Sequence, residues 1–157
     1  MWQVVLGIPL IVLAAVIFAP IALYYFIARY VRGKWLASQV RRHWPNKVAF
    51  LAYSDNPKWA PYLKENVLAH AESVCVVINR SNAQWKQLNP LADRVISHWG
   101  GWKSHNPLAV VFPRTGQPRV FRLYEPFQQL QKGNSAALNA MIGKLLEAIS
   151  RESQRVG

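Results

Sequence analysis

The sequence predicts an α/β protein in which one transmembrane helix precedes a small domain with a mixed four-stranded sheet. At the N-terminus, no charged side chain appears before Arg29. Further along, two short apolar runs, 47–54 and 73–79, flank a helical segment, which is the pattern of a β-α-β unit with a right-handed crossover. Two more runs, 108–112 and 119–124, are separated by turn residues. They predict an antiparallel hairpin.

The N-terminal apolar stretch is long enough to cross a bilayer. About 20 apolar residues suffice for a membrane-spanning helix, and residues 2–28 are uncharged. A cleaved signal peptide has a basic first region and an apolar core of roughly 7–15 residues, and this stretch has neither. We therefore expect an uncleaved helix over 1–28. Pro9 and Pro20 predict a simple kink or a kink that fits a partner helix, and with Trp2 they are candidate partner contacts.

Basic residues and tryptophans follow the apolar stretch. Because basic side chains beside a span favour the cytoplasmic side, we expect the N-terminus outside and the domain in the cytoplasm, at the inner membrane of a bacterium. The spacing of apolar side chains over 29–46 predicts a separate amphipathic interfacial helix that bends at Gly33. A continuation of the span into water is the alternative. The candidate lipid contacts are Arg29, Arg32, Lys34, Trp35, Arg41, Arg42 and Trp44.

The chain carries 19 basic and 7 acidic side chains, a formal net charge of +12. This balance suits a membrane surface, a nucleic acid or an acidic partner. Anionic lipid is the favoured partner, because the anchor already predicts a membrane and each basic residue near such a surface gains on the order of 1 kcal/mol. Nucleic acid is disfavoured, because the sequence shows no RNA-binding signature. The single cysteine fits a reducing compartment.

Helices are expected between and after the strands. Asp55 is expected to cap a helix that runs to about His70. The region 81–98 reads as helical but broken at a proline. The last helix has the strongest periodicity of the domain, begins at Asn134 or Ser135 and precedes a fraying tail over 151–157. Its apolar positions are Leu138, Met141, Ile142, Leu145, Leu146 and Ile149.

The element order β-α-β-α-β-β-α resembles the thioredoxin fold, without the N-terminal strand and helix that many members carry. Residues 50–59, FLAYSDNPKW, are similar without a gap to the family's segment F-W-A-x-W-C-G-P-C-K. Asn106-Pro107 resembles the proline, usually cis, that faces the family's active site. The resemblance implies a thioredoxin-like domain over 47–150.

The resemblance does not extend to the dithiol. Asp55 and Lys58 stand where the family has its two cysteines. Thiol–disulfide exchange needs a thiolate, so redox activity of the family's kind is not implied. Cys75 lies in an apolar strand, where a core role is favoured over a reactive thiol. The four histidines lack metal-ligand spacing, and no phosphate-binding loop or nucleophile elbow occurs, so we expect no metal, cofactor or catalytic residue.

The sequence Trp99-Gly-Gly-Trp102-Lys103 is the strongest candidate for a partner contact in the domain. Tryptophan commonly anchors interfaces; packing of one tryptophan beneath the loop is the alternative. Together these patterns predict a non-catalytic accessory subunit of a larger membrane complex, for instance a photosynthetic or respiratory one. Two alternatives remain: a membrane-tethered thiol enzyme or assembly helper that uses Cys75, and a membrane-surface adaptor for an acidic ligand.

Overall fold

The computed structural model describes the backbone of residues 2–101 and 106–155 and the side chains of residues 16–101 and 106–155. The chain divides into two compact units, Met1–Trp35 and Leu36–Gly157. The first unit is helical where it is described, and the second contains every strand of the described residues. The protein is therefore a mixed α/β chain with an N-terminal apolar helix.

The first helix, α1, runs without interruption over Trp2–His43. The predicted bend at Gly33 and the separate interfacial helix over 29–46 are therefore wrong, and the helix continues through that segment. The reason is that one glycine costs a helix interior only about 1 kcal/mol. The helix ends before Pro45, where Trp44 N still donates to Val40 O at 2.9 Å.

The C-terminal end of α1 belongs to the α/β unit. Leu36, Ala37 and Val40 are buried in one of its two apolar clusters, and the half-buried Trp44 packs against the same cluster. The ring centroids of Trp44 and Phe50 lie 6.5 Å apart. The compact unit thus begins at Leu36, ahead of the boundary predicted at residue 47. Trp44, expected at a lipid surface, faces protein instead.

Within the part of the chain that the structure describes, one helix is long and apolar enough to cross a membrane. It is the portion Val16–His43 of α1. Only 6% of its most apolar 18-residue stretch is buried against the rest of the chain. A signal sequence or the core helix of a soluble protein can meet the same criterion of length and composition. The large apolar side chains of this helix from Val16 to Val31 are exposed.

The four strands form one mixed sheet in the order β2-β1-β3-β4. They are β1 (Ala49–Tyr53), β2 (Cys75–Asn79), β3 (Leu108–Val111) and β4 (Arg119–Arg122). Strand β1 is parallel to β2 and antiparallel to β3, which is antiparallel to β4. The predicted β-α-β unit, hairpin and mixed four-stranded sheet are confirmed.

Helical segments connect and cover the strands. After β1, α2 (Ala60–Leu63), a π-helical turn (Lys64–Leu68), α3 (Ala69–Ala71) and a 3₁₀ turn (Glu72–Val74) form one helical run. The remaining helices are α4 (Trp85–Leu88), α5 (Pro90–Trp99), α6 (Tyr124–Gln131) and α7 (Ala136–Ser153). The break before Pro90 agrees with the sequence prediction, whereas α6 was not predicted.

One helix start differs from the expectation, and the start of α7 agrees with it, because Ser135 is at its N-cap position. The run after β1 begins only at Ala60, with Pro61 in its first turn, and Asp55 does not cap it. At α7, the Asn134 side-chain oxygen accepts a hydrogen bond from Ala136 N at 3.1 Å. The predicted tail does not fray at residue 151, because α7 continues to Ser153 and Glu152 is buried there.

Both faces of the sheet are covered by apolar side chains. Alternate residues of a strand point to opposite faces, and in β1 Ala49, Leu51 and Tyr53 join one cluster whereas Phe50 and Ala52 join the other. The first cluster includes side chains from α2, α3, α6 and α7, and the second includes side chains from the end of α1, α4 and α5. The sheet is the middle layer of three.

Leu145 in α7 offers a test of this core, because its side chain is fully buried. We expect Leu145→Ala to lower the free energy of unfolding by about 2–5 kcal/mol, through lost burial and the cavity it leaves. Gly143→Ala is the matched control on the same helix, with open space around the new methyl group, and should stabilise by about 0.5–1 kcal/mol. Urea unfolding of the full chain in mild detergent, followed by tryptophan fluorescence, measures both; equal effects would contradict this packing.

Candidate functional site

The carboxyl ends of β1 and β2 bring three polar residues together. Asn79 Nδ2 donates to Asp55 Oδ2 at 2.7 Å, and Asp55 N donates to Ser81 Oγ at 2.8 Å. Ser81 N in turn donates to Asn79 Oδ1 at 2.9 Å. The two strands are parallel, so the loops that follow them meet at one edge, where open α/β sheets bind ligands. Here the three residues bind each other through side-chain and backbone groups, and Asp55 links the two loops instead of capping a helix.

Lys58 occupies the other position at which the resemblance places a cysteine. Its backbone N–H donates to Asn56 Oδ1 at 2.9 Å, which closes a tight Asx turn. Neither Asp55 nor Lys58 takes part in the ion pairs found among the described residues. The segment therefore has a hydrogen-bonded turn at the dithiol position, and neither side chain is a nucleophile for disulfide exchange.

A small cavity lies between this turn and α6. Its volume is about 120 Å³. The aromatic part of its lining is held by ring contacts, with Trp59 and Tyr124 6.1 Å apart and Tyr62 and Phe127 5.5 Å apart. A water molecule takes roughly 30 Å³, so the cavity has room for only about four waters. It is therefore too small for a cofactor. It is lined by Asn56, Lys58, Trp59, Tyr124, Phe127, Gln128 and Gln131.

The loop before β3 was the other candidate region. The Asn106–Pro107 peptide bond is cis, the isomer that the resemblance implies. Trp99 is buried at 9% exposure and its ring lies 5.3 Å from that of Phe112. Trp99 therefore packs beneath the loop, which was the alternative to a partner contact, and its side chain is not exposed. Trp102 and Lys103 lie outside the described residues.

Cys75 is the only cysteine and lies at the start of β2, buried at 3% exposure. Burial raises the pKa of its thiol to about 12, and the nearby positive charge of Lys47 offsets this only in part. A thiol with this pKa is about one part in 10⁴ ionised at pH 8, whereas thiolate is the reactive form. The site is unsuited to thiol chemistry.

The predicted basic segment is exposed in both units. In the first unit, Arg29, Arg32 and Lys34 are exposed, and Lys34 Nζ lies 5.0 Å from the centroid of the Tyr30 ring. Trp35 is 52% exposed, which suits a headgroup contact. In the second unit, Arg42 is exposed and Arg41 donates to Pro113 O at 3.2 Å. Contact of these residues with an anionic lipid surface stays a prediction.

The candidate partner contacts in the apolar helix are described only in part. Pro20 is exposed within α1. The backbone of Trp2 and Pro9 is helical, and their side chains lie outside the described residues. Exposure leaves Pro20 accessible to lipid or to a partner helix.

Chemistry-bearing clusters are few in the part of the chain that the structure describes. No group of three or more His, Cys, Asp or Glu side chains there could hold a metal ion. No protein-family model, curated protein or solved structure matches this chain. Its function must therefore be inferred from burial, charge and exposed apolar surface.

Buried Cys75 predicts slow thiol labelling of the folded protein. We expect maleimide to modify native Cys75 at least about 10³-fold more slowly than the urea-unfolded chain, because reaction needs both exposure and ionisation. The matched control is Ser97→Cys in a Cys75→Ala background, since Ser97 is exposed on α5. It should react fast in the folded chain. Fast modification of native Cys75 would instead support the thiol-enzyme alternative.

The raised pKa also predicts a pH dependence of stability. In the unfolded chain the Cys75 thiol has a pKa of 9.0 and releases its proton above that pH. The folded chain retains the proton up to about pH 12. The unfolded state then binds fewer protons, so the free energy of unfolding falls as pH rises through this window. Urea unfolding at pH 8 to 11 should show a steeper loss for the wild type than for Cys75→Ala. Parallel curves would contradict the shift.

Proposed function

We propose that this chain is a non-catalytic accessory subunit, anchored by α1 in the inner membrane of a bacterium and attached there to a larger membrane complex. Its α/β domain faces the cytoplasm and has a thioredoxin-like fold without the dithiol. The observation that carries the proposal is the exposed apolar surface of α1. The basic residues after the apolar stretch support the orientation, and the sheet topology supports the fold. The burial of Cys75 supports the absence of thiol chemistry.

The exposed helix surface is too apolar for water. Burying one large apolar side chain gains about 1.5–3 kcal/mol, and many such side chains of α1 are exposed. A helix that is apolar on all sides belongs in a core or a membrane, and the 6% burial of this window disfavours a core. The exposed residues are Val16, Ile17, Phe18, Ile21, Leu23, Tyr24, Tyr25, Phe26, Ile27, Tyr30 and Val31.

The orientation follows from the charges after the apolar stretch. Arg29, Arg32 and Lys34 are exposed, and such residues favour the cytoplasmic side. The same side chains would contact the headgroups of anionic lipids. On this orientation the α/β domain is cytoplasmic.

The element order supports a thioredoxin-like domain. The sheet order β2-β1-β3-β4, with a parallel first pair and an antiparallel hairpin, has the mixed four-stranded arrangement that the resemblance implies. The helix α6 is an addition to that order. Asp55 and Lys58 at the dithiol positions favour a structural role over catalysis, with no cofactor.

A complex is proposed because the chain presents surface for partners and little chemistry. Tyr24, Tyr25 and Phe26 are exposed in the apolar helix, and aromatic side chains are frequent anchors of interfaces. Photosynthetic and respiratory complexes are examples of such an assembly. The thiol-enzyme alternative is disfavoured by the burial of Cys75.

Membrane anchoring can be tested with two matched substitutions, Leu23→Arg and Leu88→Arg. Both leucines are exposed, at 60% and 64%. An arginine costs about 2.5–3.5 kcal/mol at the centre of a span and less toward its ends, where Leu23 lies, whereas one on the domain surface costs little. We expect only Leu23→Arg to lower the fraction that stays with membranes after alkaline carbonate extraction. Equal retention of both variants, or a wild-type chain in the soluble fraction, would contradict the anchor.

The accessory role is tested by extraction of native membranes in mild detergent. We expect the full chain to elute from a size-exclusion column with stoichiometric membrane-protein partners. A carbonate-resistant chain that elutes as a lone monomer would refute the accessory role while leaving the anchor intact.

A further inference from the structure

A basic cleft in the α/β unit includes Arg42, one of the candidate lipid contacts, and its other lining residues have no role in the sites described above. It lies between the end of α1 and the first turns of α5, and has a volume of about 420 Å³. It is open to solvent and within the size range of small-ligand sites. Its lining residues are Gln39, Arg42 and His43 from α1, and Pro90, Leu91 and Arg94 from α5.

The charges of the cleft are positive and unneutralised. Arg42 and Arg94 are exposed, and neither takes part in the three ion pairs found among the described residues. The nearest acid along α5, Asp93, instead faces Lys86 at 3.9 Å. Two guanidinium groups without carboxylate partners among the described residues, one from α1 and one from α5, line one cleft, and their charge suits an anion.

The chemistry of the donors favours phosphate among anions. A guanidinium presents paired N–H donors that match two oxygens of a phosphate group, and Arg42 and Arg94 supply two such forks. Gln39 adds an amide donor, and His43 adds a ring nitrogen. The cleft is also lined by the first turn of α5, whose partial positive charge favours an anion. Each contribution favours a phosphate ester.

We propose that this cleft binds the phosphate headgroup of an anionic lipid. The half-buried side chain of Leu91 gives the cleft an apolar wall for the glycerol and upper acyl carbons, which inorganic phosphate lacks. The choice of lipid as the source rests on the proposed membrane anchor, whereas the phosphate site rests on the residues that line the cleft. The cleft would fix one lipid beside the domain, in addition to the general attraction of the basic segment.

Native mass spectrometry of the full chain can test the cleft. The protein is extracted in mild detergent and exposed to equal amounts of phosphatidylglycerol and phosphatidylcholine. We expect one phosphatidylglycerol to be retained with roughly tenfold preference, and the variant Arg42→Gln/Arg94→Gln to lower its retention about tenfold, since charge-assisted bonds to phosphate are lost. The matched control, Arg119→Gln/Lys132→Gln, removes the same charge from exposed positions elsewhere in the unit and should change retention less than about twofold.

Three outcomes would overturn the proposal. Equal loss in the cleft variant and the control would show that net charge, not the cleft, retains the lipid. Displacement of the lipid by excess inorganic phosphate would identify a soluble phosphate as the ligand. Stronger retention of a poly-glutamate peptide than of the lipid would identify an acidic protein partner.

Two further measurements separate this proposal from failure of the fold or of the anchor. The far-ultraviolet circular dichroism and the urea midpoint of the cleft variant should equal those of the wild type, because both arginines are exposed. Carbonate extraction of the cleft variant should match the wild type. A wild-type chain that binds the lipid in detergent but is absent from membranes would refute the anchor and leave the cleft standing.

Discussion

Both faces of the central sheet must be covered, and this requirement shapes the whole α/β unit. Strands β1 and β3 are buried on both sides, so neither face can contact water. One face is covered by α2, α3, α6 and α7, and the other by α4, α5 and the last turns of α1. Buried apolar area is the dominant favourable contribution to folding. Residues Leu36 to Val40 thus have a structural role that their sequence position beside the basic segment conceals.

The same helix carries two kinds of apolar surface. Its last turns are buried against protein, whereas the side chains from Val16 to Val31 are exposed. Because α1 is continuous, the part that we propose to lie in lipid and the part that packs in the domain are one element.

The region that resembles a dithiol site joins the loops that follow β1 and β2. Asp55, Asn79 and Ser81 bind one another at the carboxyl ends of two parallel strands, where many α/β proteins bind ligands. At the same time Cys75 is placed in the core, where burial raises its pKa. Two arginines that take part in none of the ion pairs found among the described residues, Arg42 and Arg94, lie elsewhere, in the cleft between α1 and α5. The proposed binding cleft and the sheet edge that resembles a dithiol site are therefore separate.

The sequence by itself determined the strands, the hairpin and the apolar helix, because each rests on a local pattern: runs of apolar residues, turn residues between strands, and a long uncharged stretch. It also determined the core role of Cys75, since one cysteine amid valines packs as a small apolar residue. Helix α6 escaped prediction because Pro126 and several glutamines obscure its periodicity.

Only the tertiary structure decided what depends on residues distant in sequence. The Asp55 carboxylate takes Asn79 as its partner, 24 positions away, although a local cap was expected. Trp44 and Trp99 are tryptophans beside basic or glycine-rich segments, and both pack on the sheet because their neighbours in space are apolar. The cleft between Arg42 and Arg94 exists because α1 and α5 cover the same face. Local pattern specifies which element forms, and packing decides which side chains remain free to bind.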